Sequence, residues 1–326
     1  MKYRKLGNTG IELPAVGLGC MGMSHAYGEP DNEESIATLH RALDIGVTFW
    51  DTADMYGKGE NEKLISKVLV PNRKKVFLAT KFGFRFKDNG DVYFDGSPKY
   101  LKTAVEASLK RLQTDYIDLY YAHRVDPDVP VEDTVGAMAD LVQEGKVRFI
   151  GLSEASMASL KKAHSVHPVA ALQSEYSLLT RDPEDGILSL CEELGITFVP
   201  YSPVGRGLLT NTVDIGRLTE DDFRKRHPRF SPEHWENNKH LAAAFAELAS
   251  KKECTPAQLA IAWVLAQGEN IIPIPGTKKR KYLEENAAAV DIELTLADVA
   301  SIEELIARYP HTGMRYGEKL MEFVNK

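Results

Sequence analysis

The chain has 326 residues, long enough for a large core and within the usual length of a single α/β barrel, and carries a formal charge of -7. That acidic balance argues against nucleic acid or an anionic membrane as the main partner, since both need a basic face. Three widely spaced cysteines, Cys20, Cys191 and Cys254, favour reduced thiols and a cytoplasmic setting over a disulfide framework, and no run approaches the roughly 18 apolar residues of a membrane span. The first residues lack the apolar core of a signal peptide. Residues 2–13 read as a small hairpin, because Leu6-Gly7-Asn8-Thr9-Gly10-Ile11 puts turn formers between short alternating segments. Strand-like runs then recur at 15–18, 48–51, 76–81, 117–122, 148–152, 170–173, 197–201 and 271–275. Between them, segments such as 33–44, 98–113, 131–144, 156–166 and 185–194 carry apolar residues at three- and four-residue spacing and read as amphipathic helices. Such alternation means a parallel sheet covered by helices, and eight units favour a closed α/β barrel, the (β/α)8 TIM barrel, in one domain over 1–326. Two long connections, 81–98 and 208–238, follow strands and are expected as lids on the C-terminal face. The first holds an Asp88-Asn89-Gly90 turn; in the second, Phe223, Phe230 and Trp235 favour order. A further helix is expected at 297–308, with the tail beyond Pro310 packing over the barrel mouth.

Gly17-Leu18-Gly19-Cys20-Met21-Gly22 matches the dinucleotide fingerprint by letter. The fingerprint works only where a helix begins within it, and none is expected here before about residue 32, so the glycines read as close packing at the mouth. A stronger set sits at consecutive strand ends. The run Phe49-Trp50-Asp51-Thr52-Ala53-Asp54-Met55-Tyr56-Gly57 ends a strand in an acid and presents a tyrosine five residues later. Lys81 ends the next strand and His123 follows the one after. Singly, each has an ordinary reading: a turn-capping aspartate, a loop aromatic, a solvated lysine, a core histidine. Jointly, a barrel puts them on one rim, where the lysine is expected to lower the tyrosine pKa and the aspartate to hold the lysine. The phenol would then be a proton donor and His123 a hydrogen-bond donor to the same oxygen. After the last strand, Pro275-Gly276-Thr277-Lys278-Lys279-Arg280 offers a turn and a basic helix start suited to an anion, at the position where barrels hold phosphate. Pro200-Tyr201-Ser202-Pro203-Val204-Gly205-Arg206-Gly207-Leu208 adds an aromatic face and a glycine loop.

From Tyr3 to the C-terminal region the chain resembles the aldo-keto reductases. The likeness is carried by the 49–57 motif, Ala79-Thr80-Lys81-Phe82-Gly83, Tyr121-Ala122-His123-Arg124, Gly151-Leu152-Ser153, Gln173-Ser174-Glu175-Tyr176 and Pro275-Gly276-Thr277. The resemblance implies a barrel that binds NADPH in extended form without a Rossmann domain, and a catalytic tetrad of Asp51, Tyr56, Lys81 and His123. In that reading Tyr56 protonates the substrate oxygen as hydride leaves the nicotinamide, Lys81 and Asp51 tune it, and His123 positions the carbonyl. Ser153 and Gln173 match positions for the nicotinamide carboxamide, and Tyr201 the aromatic stacked on its ring. Ser202, Gly205, Gly207 and Leu208 match the pyrophosphate loop. Gly276, Thr277, Lys278, Tyr282, Glu285 and Asn286 match the stretch around the adenosine and its 2'-phosphate. Two positions depart from the pattern. Glu154 stands where many members have asparagine, placing a negative charge near the nicotinamide. Tyr282 stands where several have arginine, so preference for the phosphate rests on Thr277, Lys278 and Arg280. Gly-Leu-Ser-Glu, His-Arg-Val-Asp-Pro and Pro-Gly-Thr-Lys resemble the pyridoxal reductase-like and perakine reductase-like branch.

The expected activity is reduction of aldehydes, and of ketones, as small-molecule carbonyl substrates, in a protein whose default state is a monomer. Candidate substrate-lining residues are Met21, Met23, His25, Tyr27, Phe82, Phe84 and Arg124. An alternative is a cofactor-binding, redox-sensing partner protein resembling potassium channel β-subunits. A metal-assisted hydrolase would need convergent ligands, and His164 and His167 read as surface residues away from the rim.

Overall fold

Seven parallel strands, at 18–19, 49–51, 77–82, 117–122, 147–153, 169–175 and 197–201 and neighbouring one another in that order, wrap into a nearly closed barrel in the computed structural model, which describes residues 1–24, 26–87 and 92–324. The chain opens with the expected hairpin, β1 (Tyr3–Lys5) paired antiparallel with β2 (Glu12–Pro14). It plugs one end of the barrel: the Arg4 guanidinium donates to the Leu265, Gly268 and Ile271 carbonyls, and Leu6 and Leu13 enter the inner core. Then follow β3 (Leu18–Gly19), α1 (Asn32–Asp44), β4 (Phe49–Asp51), α2 (Glu60–Asn72) and β5 (Phe77–Phe82). The connection after β5 is itself a hairpin of β6 (Phe84–Phe86) and β7 (Val92–Phe94); Asp88, Asn89 and Gly90 lie outside the described residues. The alternation resumes with α3 (Pro98–Leu112), β8 (Ile117–Ala122), α4 (Val131–Gln143), β9 (Val147–Ser153), α5 (Met157–Val166), β10 (Val169–Glu175), α6 (Ile187–Leu194) and β11 (Thr197–Tyr201). The helices α7 (Pro232–Lys251), α8 (Pro256–Leu265), α9 (Arg280–Ala288) and α10 (Leu296–Ala307) complete the outer layer. None of the described helices is long and apolar enough to cross a membrane.

The eighth strand is the main departure from expectation. Residues 271–275 close the barrel without forming a regular strand. Their carbonyls accept from β3 and its approach (Gly17 N to Pro273 O, 2.9 Å; Gly19 N to Pro275 O, 3.2 Å), and Ile272 N and Ile274 N donate to Phe198 O and Pro200 O. Pro273 and Pro275 have no N–H to return, so the ladder toward β3 is one-sided. The first strand is correspondingly two residues rather than the four expected at 15–18. The glycines of the fingerprint-like run serve this closure: a Cβ on Gly17 would lie 2.7 Å from the Phe49 ring, and one on Gly19 2.8 Å from Ile274 O. Among the described residues a single 3-10 turn, Met21–Met23, follows, and α1 begins at Asn32 with Asp31 accepting from Glu34 N. The dinucleotide fingerprint is therefore absent in structure.

Strand parity sorts the side chains into two layers. Phe49, Phe77, Ala79, Leu119, Tyr121, Ala171 and Val199 point into the barrel, while Trp50, Leu78, Tyr120 and Leu172 pack against the helices. Continuing the inward parity by two residues gives Asp51, Lys81, His123, Gln173 and Tyr201. The inner face thus turns from apolar to polar at its C-terminal end. Asn61, at the start of α2, braces this end: fully buried, it accepts from Thr52 Oγ1 (2.6 Å) and donates to Cys20 O (2.9 Å) and Ser24 Oγ (2.6 Å). Asn61→Ala strands three polar partners, so a loss of about 1–3 kcal/mol in unfolding free energy, read as a lower denaturant midpoint at unchanged m value, is expected.

Candidate active site

The ammonium of Lys81 is the centre of the polar end. Fully buried, it donates to Asp51 Oδ1 (2.5 Å), Thr52 O (2.7 Å) and Tyr56 Oη (3.4 Å). The second oxygen of Asp51 accepts from Gln173 Nε2 (2.8 Å), which reaches across the interior from β10. Tyr56 returns to the rim because the turn behind it is left-handed, with φ of 56° at Gly57, 53° at Lys58 and 90° at Gly59. For Lys58 that conformation is a strained one. His123 packs edge-on to the Tyr56 ring, at 6.0 Å, and to Phe84, at 4.8 Å.

Burial dominates the protonation of these groups. It raises Asp51 above the ordinary carboxylate value, opposed by Lys81 and the bond from Gln173. Lys81 loses stability of its charged form to burial, yet Asp51 and Tyr56 hold it above the usual ammonium value. His123 is pushed well below the usual imidazole value by burial and by the Arg124 and Lys81 charges, so the ring is neutral, and among the described residues its buried Nδ1 has no partner. Tyr56 corrects the sequence expectation. Lys81 does pull the phenol pKa down, but desolvation, aided by Asp51, outweighs it, and the phenol stays above its ordinary value. The tetrad is thus set with a protonated phenol beside a cation.

The remaining predicted residues fall into two groups. In the first, Ser153 Oγ accepts from Arg124 Nη1 (3.2 Å), and the Tyr201 hydroxyl donates to Glu154 Oε1 (2.8 Å) and lies 2.7 Å from that of Tyr316. Glu154, with φ of 55°, is turned away from open space: it also accepts from Glu175 N and pairs with Arg315 at 3.2 Å. Its negative charge is therefore already balanced. Ser202, Gly205, Arg206 and Gly207 all have positive φ, forming one tight coil that ends in buried Leu208. In the second group, Gly276 is exposed and would admit a Cβ, which would meet only Gly19 O at 3.5 Å. Lys278 donates to the Tyr27 and Glu29 carbonyls, and Thr277 and Asn286 are buried. Glu285 is half-buried and Tyr282 exposed, while Arg280 is drawn to Glu34 at 2.9 Å.

Two substrate-lining expectations do not hold. Met23 and Phe82 are fully buried in the outer core, where Phe82 packs on Phe94 and Tyr120. Met21 and Tyr27 are half-buried, Phe84 and Arg124 stand beside His123, and His25 lies outside the described residues. Burial and Asp51 also raise the Cys20 thiol, which stays protonated. His164 is half-buried in α5, where its Nδ1 accepts from Val169 N, and His167 stands at the end of that helix.

Three groups were missed in the sequence. Arg206 pairs with Glu175 at 2.6 Å, Arg229 with the same carboxylate at 3.0 Å, and Arg315 brings the tail to Glu154. With Phe323 against Phe84 at 5.8 Å, the tail does pack over the mouth. Arg206 lay inside a motif already singled out, between two glycines, and an arginine there is a readable signal. Arg229 and Arg315 have no such local mark.

Comparison with known proteins extends this picture. A family model described as the aldo/keto reductase family matches residues 15–307. The probable aldo-keto reductase 1 of Glycine max is 46% identical over 322 residues, covering 98% of this chain and 93% of that protein. Among solved structures, the glycerol dehydrogenase AKR11B4 from Gluconobacter oxydans superposes with a TM-score of 0.85 at 28% identity, covering 94% of this chain and 95% of that one. The aldo-keto reductase AKR11C1 from Bacillus halodurans, in its holo form, gives 0.76 at 29%, covering 98% and 99%.

Two outcomes follow from the burial of the tetrad. Replacing Lys81 by Met leaves Asp51 buried without its cation, and an unfolding free energy lower by about 3–5 kcal/mol is expected from denaturant melts. In an ultraviolet titration of the ligand-free protein, the difference between wild type and Tyr56→Phe should show no phenolate below about pH 10, the ordinary tyrosine value; a step near neutrality would reverse the assigned direction.

Proposed function

The chain belongs to the aldo/keto reductase family, and on that premise we propose that it is an oxidoreductase that reduces aldehydes, and ketones, to alcohols with NADPH, as a single barrel domain in the cytoplasm. The observation that carries this reading is the sharing of the fully buried Lys81 ammonium between Asp51 and Tyr56, at 2.5 and 3.4 Å. Nicotinamide cofactors serve this family, and the reduced ring, when bound, supplies the hydride. The residues present suit such a guest. The buried, unpartnered His123 Nδ1 leaves the imidazole hydrogen-bonding capacity for a ligand, the coil at 202–208 gives a narrow backbone turn, and the basic run from Lys278 lies beside the closing segment.

In this reading Tyr56 gives its proton to the substrate oxygen. The cost of a buried phenolate is met by Lys81, whose charge Asp51 keeps in place at that moment. His123, neutral, orients the carbonyl oxygen and does not compete as an acid. Ser153 and the free side of the Gln173 amide would hold the carboxamide, and Tyr201 the ring. Phe84, Phe323 and Tyr316 exclude water. Lys278, with Thr277 and Asn286, would take the 2'-phosphate. Its amine pKa is lowered by burial and by Lys279, and a nearby anion would raise it again. The branch motifs favour aldehydes of the pyridoxal reductase-like type.

Two measurements test this. Tyr56→Phe should lose carbonyl reduction by about a hundredfold or more while still quenching tryptophan fluorescence with NADPH at near wild-type concentrations; normal turnover would remove Tyr56 from the acid role. Lys278→Ala should weaken NADPH far more than NADH, and an equal loss for both would move the phosphate site elsewhere.

A further inference from the structure

Four arginines are buried at the mouth of the barrel, and three have a carboxylate. Arg206 and Arg229 share Glu175, and Arg315 takes Glu154. The fourth is Arg124, immediately after His123 and 8% exposed. Its Nη1 donates to two neutral oxygens, the His123 carbonyl (2.6 Å) and the Ser153 hydroxyl (3.2 Å), and its Cζ lies 5.4 Å from the centre of the Phe84 ring. Among the described residues it has no ion pair, Nε is buried without a partner, and Nη2 makes no hydrogen bond. Arg206 and Arg315 also leave Nε unpartnered, so the missing counter-ion is what sets Arg124 apart.

A guanidinium does not shed its proton, and burying its charge beside neutral groups alone is costly. Glu154 is the carboxylate whose field it feels most, but both Glu154 oxygens are committed to Arg315, Tyr201 and the Glu175 amide. Lys81 and Asp51 satisfy one another. The other buried cations here, Lys81, Arg206, Arg229 and Arg315, each have a carboxylate within 3.2 Å, in Asp51, Glu175 and Glu154. With Nη1 occupied, the edge of Arg124 left without partners is the Nε–Nη2 pair, a planar fork with the spacing of the two oxygens of a carboxylate. It stands against Phe84 and next to the residue that would orient the carbonyl.

Resting on the reductase reading above, we propose that Arg124 is an anion anchor that makes carbonyl compounds bearing a carboxylate the preferred substrates of this site. The carboxylate would take the Nε–Nη2 edge, and the aldehyde would lie toward Tyr56 and His123.

The test compares benzaldehyde with 4-carboxybenzaldehyde in the NADPH-loaded enzyme, for wild type, Arg124→Gln and Arg124→Lys. Wild type should favour the carboxylated aldehyde by about ten- to a hundredfold in kcat/KM, mainly through KM, the range of a charge-assisted bidentate contact. Arg124→Gln should bring that ratio near one, and Arg124→Lys should keep part of it as a point charge without the fork. A wild type without the preference overturns the proposal, as does an Arg124→Gln variant that loses both aldehydes, or NADPH binding, by one common factor. Calorimetric binding of benzoate gives a readout free of turnover: wild type should bind it and Arg124→Gln should not. Equal benzoate binding by both overturns the anchor, and inorganic phosphate displacing benzoate at lower concentration overturns the carboxylate assignment. No turnover of either aldehyde would sink the reductase reading alone, with the anchor then decided by the benzoate arm.

Discussion

The buried pair of Lys81 and Asp51 is the constraint on which the rest of the polar end depends. Neither charge is stable there alone, because the interior replaces no hydration shell for an isolated ion. The pair holds only if β4 and β5 keep their register, Phe49 opposite Phe77 and Asp51 opposite Ala79, and if β10 brings Gln173 across to the second carboxylate oxygen. In an open sheet β10 would stand beyond β5, β8 and β9, out of reach of β4. Closure puts them face to face, so the chemistry of the rim and the geometry of the barrel are one requirement. The opposite end has its own lock: buried Asp118 accepts from Leu78 N, Arg73 and Arg148, tying β5, β8 and β9 together.

Around the pair, the covering segments are fastened largely by charge. Glu175 ends β10 and holds Arg206 of the coil after β11 and Arg229 of the long connection; Glu154, just beyond β9, holds Arg315 of the tail. Thr180 and Asn238 complete the attachment through Arg229. Apolar contacts add to this: Leu208, Leu209 and Phe230 are buried in the outer core, and Phe230 stacks on Trp235 in the long connection.

The strand-end chemistry was legible in the sequence for a simple reason. Residues of like parity share a face, and an acid, a lysine and a histidine at successive strand ends share a rim in a barrel. The helix and hairpin pattern was legible too, because amphipathic spacing and turn glycines are local. The eighth strand was misread because its apolar residues, Ile271, Ile272 and Ile274, look like any strand, while Pro273 and Pro275 remove the donors that regular pairing needs. Met23 and Phe82 were placed at the mouth by position in the chain, but burial of a large apolar side chain is a property of the surroundings.

The sequence by itself determined the alternation, the closure into a barrel and the set of groups at its rim, since each follows from periodicity and strand order. Only the tertiary structure decided how those groups are charged. Whether Lys81 lowers the Tyr56 pKa or desolvation keeps it raised depends on how completely water is excluded, and the carboxylate that each arginine finds depends on segments brought together from Glu154, Glu175, Arg206, Arg229 and Arg315, far apart in the chain. Electrostatic energies are set by distances and by the surrounding medium, and neither is written in the order of residues.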